Sequence, residues 1–145
     1  MDFFTAMEVS ASGMAAQRTR MNVASSNLAN VSTTRTPEGG PYKRKDVVLH
    51  SAALPAGLAG QQAGGFADAV RAVQVSSIIE DGAPPRLEHD PGHPDADPNG
   101  YVAYPNVNVV EEMVDMITAS RAYEAGISTL GSAVNMAERA LGIGR

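Results

Sequence analysis

"VVEEMVDMITASRAYEAGISTLGSAVNMAERAL", Val109 to Leu141, is the stretch on which the fold of this chain turns. Alternating steps of four and three residues from Val109 land on Met113, Met116, Ser120, Tyr123, Ile127, Leu130, Val134, Ala137 and Leu141. Only Ser120 among them is a small polar residue, and this repeat gathers the rest on one side of an α-helix. The period is that of a coiled-coil seam and not of a strand. At ~1.5 Å per residue the segment makes a helix about 50 Å long. Asn108 is placed to cap its start, and Glu111 to complete a capping box. Glu111, Glu112 and Asp115 add negative charge where the helix dipole favours it. Gly142 and Gly144 mark the end.

The same spacing runs through the first thirty residues, on Phe4, Met7, Ala11, Met14, Arg18, Met21, Ser25 and Leu28. A second long helix is therefore expected at the N-terminal end. The simplest arrangement pairs the two in an antiparallel hairpin. Yet Val9, Ala16, Val23, Val114, Ile117 and Ala133 fall off the seams, so a single partner would leave some of them wet. A buried seam residue contributes about 1.5–3 kcal/mol, whereas ordering each residue costs about 1–2 kcal/mol. Gly13, Gly126 and Gly131 each cost a further ~1 kcal/mol relative to alanine, while permitting close backbone approach. Such helices are marginal alone and call for several neighbours.

The middle has a different composition. "TPEGGPYKRKDVVLH" joins turn residues to a short β-like run, Val47 to Leu49. Residues 51–67 are rich in Ala, Gly and Gln and read as a flexible loop. Ala69–Ile79 and Gly100–Tyr104 read as strands. The expected fold is mainly α: a helical segment at 1–36, a small β-rich module at 37–104 and a long helix at 105–145. The two helices are expected to pair in a coiled-coil-like bundle. Within the module, residues 81–100 form a connector rich in Pro and Asp.

Composition excludes several functions. There is no cysteine, which removes disulfides, thiolate metal sites and a cysteine nucleophile. The net charge is −5, and the basic clusters (Arg18 with Arg20, and Lys43-Arg44-Lys45) neither form a stripe nor alternate with aromatics. Nucleic-acid binding is therefore not expected. No run is long and apolar enough to cross a bilayer, so no membrane insertion is expected. The N-terminal residues lack the basic and apolar blocks of a secretory signal.

The densest polar run, "HDPGHPDADPNGYV", holds Asp95, Asp97, Asn99 and Gly100 at the spacing of a calcium loop. The twelfth position should be a bidentate glutamate and is Asn106. Its flanks are not helical, as an EF-hand requires. His89 and His93 would align on a helix, which Pro91, Gly92 and Pro94 forbid. The favoured reading is a stiff connector whose Asp and Asn side chains close turns on their own backbone. A small calcium-binding module with a coiled-coil stalk is the alternative. No phosphate-binding loop, nucleophile elbow or cofactor motif is present, so no enzyme activity and no cofactor are expected.

"SSNLANVSTT", with Asn27-Leu28-Ala29-Asn30, resembles the N-terminal signature of bacterial flagellar rod and hook proteins. "NVNVVEEMVDMITASRAYEAGISTL" is similar to their C-terminal signature, with Arg121, Ala122, Tyr123 and Glu124 on the matching positions. Asp81 to Val107 is similar to the connector of proximal-rod members. The resemblance covers residues 1–50 and 70–145. It implies a structural subunit of the periplasmic rod, a drive shaft between membrane ring and hook. Export would follow the flagellar type III apparatus without a cleaved signal. Partners would be copies of the chain, other rod proteins and a ring-to-rod adaptor.

The helices would order as subunits stack. Phe4, Met7, Met14, Met21 and Leu28 would then bury with Val109, Met113, Met116, Tyr123, Ile127, Leu130, Val134 and Leu141. Asn27, Ala29 and Asn30 would sit at the bend out of the first helix, with Arg121 and Glu124 as polar pins between helices.

Overall fold

The computed structural model describes residues 3–53 and 70–143. Helix α1 spans Phe3–Ala29 and helix α2 spans Val109–Ile143, of 27 and 35 residues. They pack side by side and antiparallel: Asn27 meets Glu112, Arg20 meets Asp115, and Met14 meets Gly126. The start of α2 is capped by Asn108, whose side-chain oxygen accepts the Val110 N–H at 3.0 Å. Gly142 does not end this helix but lies within its last described turn, and Gly144 is outside the described residues.

Four strands lie between the helices among the described residues. Strand β1 (Lys45–Ala53) pairs antiparallel with β2 (Arg71–Glu80), and β3 (Arg86–His89) with β4 (Tyr101–Tyr104). Val48 faces Ser77 and Leu49 faces Val75, so the first ribbon carries a bulge at Ser76. A bulge bends its strand and sharpens the twist. The ribbon lies on α1, where the Ser12 hydroxyl accepts the Val73 N–H at 3.1 Å and donates to the Val9 carbonyl at 2.8 Å.

Two sequence expectations change. Residues 51–53 are the end of β1, not part of a loop, because cross-strand pairing with Val73, Ala72 and Arg71 extends it; residues 54–67 lie outside the described residues. The connector also contains a strand, β3, held by its register with β4. The side chains of β3 are all exposed, so no alternation of apolar residues announces it.

The core is built of small residues. Ala16, Ala24, Ala72, Val102, Val107 and Ala119 are its buried apolar members. Along α2 the covered line runs through Glu112, Met116, Ala119, Tyr123, Gly126, Leu130, Ala133 and Ala137. It shares Met116, Tyr123, Leu130 and Ala137 with the seam read from the sequence. At the intervening turns it uses the neighbouring small residue, since Ala119, Gly126 and Ala133 let α1 come closer. Met113, Ile127 and Val134 consequently face outward.

Candidate assembly face and polar joint

The best-organised polar site joins both helices to the first ribbon. Asn27, in the last turn of α1, is 1% exposed. Its side-chain amide pairs with Lys45 as a neighbouring strand would: Nδ2 donates to the Lys45 carbonyl at 2.8 Å, and the Lys45 N–H donates to Oδ1 at 2.9 Å. Nδ2 also donates to Glu112 Oε2 at 2.9 Å, and the Tyr42 hydroxyl donates to Oδ1 at 3.0 Å.

Glu112, in the first turn of α2, is 2% exposed. Its Oε1 accepts a hydrogen bond from Arg44 Nε at 2.6 Å. A carboxylate this buried is tolerable only when paired and hydrogen-bonded, and here both oxygens are engaged. Burial opposes the charge on Arg44, but its hydrogen bond to Glu112 and the attraction of Glu112, Asp46 and Asp81 outweigh it, holding the guanidinium pKa above its ordinary value. Because both folded and unfolded values lie far above neutrality, Arg44 stays charged and its stabilisation is lost only as pH rises through that raised value.

Asn30 plays a different part. Its backbone N–H and its Nδ2 both donate to the Ser26 carbonyl, at 3.1 and 2.9 Å, and its Oδ1 accepts from Thr33 Oγ1 at 3.1 Å. It closes the end of α1, whereas Asn27 reaches across to other elements. Beyond the bend, Thr34 Oγ1 donates to Asp95 Oδ2 at 2.8 Å and Arg35 pairs with Asp95 Oδ1 at 2.7 Å.

The same connector shows why the calcium-loop spacing arises. Asp97 Oδ1 accepts the N–H groups of Asn99 and Tyr101, Asp90 Oδ1 accepts that of Gly92, and Gly100 adopts φ +81°. That left-handed conformation favours glycine. His89 and His93 stack edge-on against Tyr101 and Tyr104. Among the described residues no three His, Asp or Glu side chains converge as a metal-ligand set.

The remaining sequence-selected residues divide between covered and open faces. Met7, Met14, Met21, Leu28, Val109, Met116, Tyr123 and Leu130 are half-buried. Phe4, Ala29, Met113, Arg121, Glu124, Ile127, Val134 and Leu141 are exposed. Arg121 and Glu124 thus stand on the open side of α2, where Glu124 lies 3.5 Å from the Ser120 hydroxyl. With Val110, Val114 and Ile117, also exposed, the open side of α2 carries an extended apolar surface. Scattered exposed apolar residues are ordinary, but here they recur on one side of α2 on both flanks of Arg121 and Glu124, as an interaction surface would. Its end is the most open, with Leu141 76% exposed.

Sequence reasoning missed Tyr42, Arg44 and Glu112 as members of the joint. Glu112 reads locally as a helix-dipole charge and Lys43-Arg44-Lys45 as solvated surface. Nothing nearby in the sequence connects either to Asn27.

A family model described as "Flagella basal body rod protein" matches residues 7–35. One described as "Flagellar basal body rod FlgEFG protein C-terminal" matches residues 99–143. The chain is 44% identical to the flagellar basal-body rod protein FlgC of Borreliella burgdorferi, over 99% of this chain and 98% of that protein. It is 44% identical to FlgC of Salmonella typhimurium, covering 95% of each chain. To FlgC of Bacillus subtilis it is 42% identical, with 100% of each covered. The two matched segments contain α1 from Met7 onward with its bend, and β4 with α2, so each supplies one side of the Asn27–Glu112 contact.

Proposed function

The chain belongs to the FlgC family of flagellar basal-body rod proteins, and from that premise we propose how it builds the rod. It is a structural subunit of the flagellar basal body and not an enzyme. Its place is the proximal rod in the periplasm, reached through the flagellar type III apparatus without removal of a signal peptide. There it packs against copies of itself, other rod proteins and the ring-to-rod adaptor. The terminal helices associate in coiled-coil fashion, and torque passes through many such contacts in parallel.

The observation that carries this reading is the open apolar side of α2, formed by Met113, Ile117, Ile127, Val134 and Leu141 in a family of assembling proteins. Head-to-tail contacts that do not close on themselves generate a tube. The core behind that face is mostly alanine and valine, which suits helices that gain order when neighbours cover them.

The test replaces outward residues, whose loss leaves the chain's own packing intact. Ile117→Asp with Ile127→Asp should abolish swimming and leave basal bodies without a complete rod, while the purified variant keeps the parent's circular dichroism. Normal rods from that variant would remove α2 from the assembly contact.

A further inference from the structure

Three segments far apart in sequence meet at Asn27: the last turn of α1, the first paired residue of β1 and the first turn of α2. Its Oδ1 accepts two hydrogen bonds and its Nδ2 donates two, so the whole capacity of the amide is used. A carboxylate would lack the donors and a hydroxyl would lack the reach. Glu112 in turn connects the amide to Arg44, immediately before β1. No buried side-chain nitrogen or oxygen among the described residues is left without a partner.

We infer that Asn27, Glu112 and Arg44 act as a positioning joint that fixes the β1–β2 ribbon against the helix pair. This rests on the assembly reading in one respect: the joint is formed within the single chain and offers neighbouring subunits a ribbon already set against the helix pair. Lys45 pairs with Glu80 across the ribbon, and the amide of Asn27 bonds the backbone groups on its other edge, so the start of β1 is tied to the end of α1. Glu112 makes the same start depend on the first turn of α2.

Among the described residues, few charged and titratable groups face the joint. Arg44 bonds Glu112 directly, with Asp46 and Asp81 beside Arg44. Tyr42 approaches from the segment leading into β1, and Lys45, the first residue of β1, meets Asn27 through its backbone. The Arg20–Asp115 pair, at 3.7 Å, lies one turn along α2.

These surroundings give an isosteric test. Asn27→Asp would set two carboxylates where the amide now donates to Glu112. Such a pair holds one proton well above the ordinary carboxylate range. A pKa raised in the docked state favours docking at low pH and is lost as pH rises through that value. At neutral pH the variant should therefore release the ribbon, with the undocked population up about a hundredfold, and acid should restore docking. The parent should show no such dependence. Adding Glu112→Gln to Asn27→Asp reverses donor and acceptor between the two side chains without two negative charges; only the bond to the Lys45 carbonyl stays unmet, so docking should return in large part at neutral pH.

The full chain has no cysteine, so spin labels at Ser77→Cys and Thr118→Cys, both exposed, report the ribbon-to-α2 distance. A single narrow distance in the parent, broad in Asn27→Asp at neutral pH and narrowed by acid or by Glu112→Gln, supports the joint. A broad parent distribution overturns it, as does Asn27→Asp behaving like the parent. Ile127→Asp should leave the distance unaltered while blocking rods. Failure of assembly and failure of the joint therefore give different results.

Discussion

Gly126 and Gly131 lie little more than a turn apart on α2, yet they face different surroundings. A Cβ built on Gly126 would come within 2.6 Å of Met14 Cγ, whereas one on Gly131 would meet nothing within 4 Å. Alanine favours an interior helical position over glycine by ~1 kcal/mol. Gly131→Ala should therefore stabilise the chain by about that amount. Gly126→Ala gains the same propensity but must displace Met14, and overpacking costs about 1–3 kcal/mol. The net effect should be destabilising, and Met14→Ala in the same chain should recover part of it. Urea midpoints of the single and double variants measure the sign directly. The sequence already suggests close approach at glycine, but it does not separate the position that uses it from the one that does not.

At the scale of elements, side-chain hydrogen bonds attach the first ribbon to α1 near both of its ends. Ser12 relays one of them, accepting from Val73 while donating to Val9. Removing the hydroxyl leaves the Val73 N–H without its acceptor, a loss of about 1–3 kcal/mol. Ser12→Ala should therefore speed amide exchange along β2 while leaving exchange in the middle of α2 unchanged. Uniform acceleration throughout the chain would show that this attachment does not act locally.

The long elements were legible because their physics is periodic. The four-and-three repeat announces α2, and the matching repeat announces α1. Strand β3 was not legible, since Arg86-Leu87-Glu88-His89 lies exposed and is specified by pairing with Tyr101–Tyr104. The same limit hid the joint: Asn27 stood out in the family signature, but its partners Glu112 and Arg44 come from other segments. The seam was read one residue away at alternate turns because hydrophobicity favours Met113, Ile127 and Val134. Close helix packing instead chose Ala119, Gly126 and Ala133, and the polar joint chose Glu112. That exchange places the larger side chains on the open face.

For the whole molecule, the proposed assembly, with small buried residues and an open apolar face, would make association and internal order parts of one equilibrium. Each copy carries a net charge of −5, so like-charged subunits repel at low ionic strength. Moderate sodium chloride screens that repulsion and leaves apolar burial intact. Assembly of purified chain should therefore increase with salt, and circular dichroism should show helix rising with polymer. Polymerisation that weakens steadily as salt is added would identify the contact as mainly ionic instead.

The antiparallel pairing of α1 with α2 also has a temporal meaning. A polypeptide threaded through a narrow conduit head first would deliver Phe3–Ala29 long before Val109–Ile143, yet each needs the other for lateral cover. Closing contacts between such distant parts is slow compared with closing local ones. On the proposed export route the leading segment would wait for the trailing one, and that delay would keep the chain pliable until its passage was nearly over.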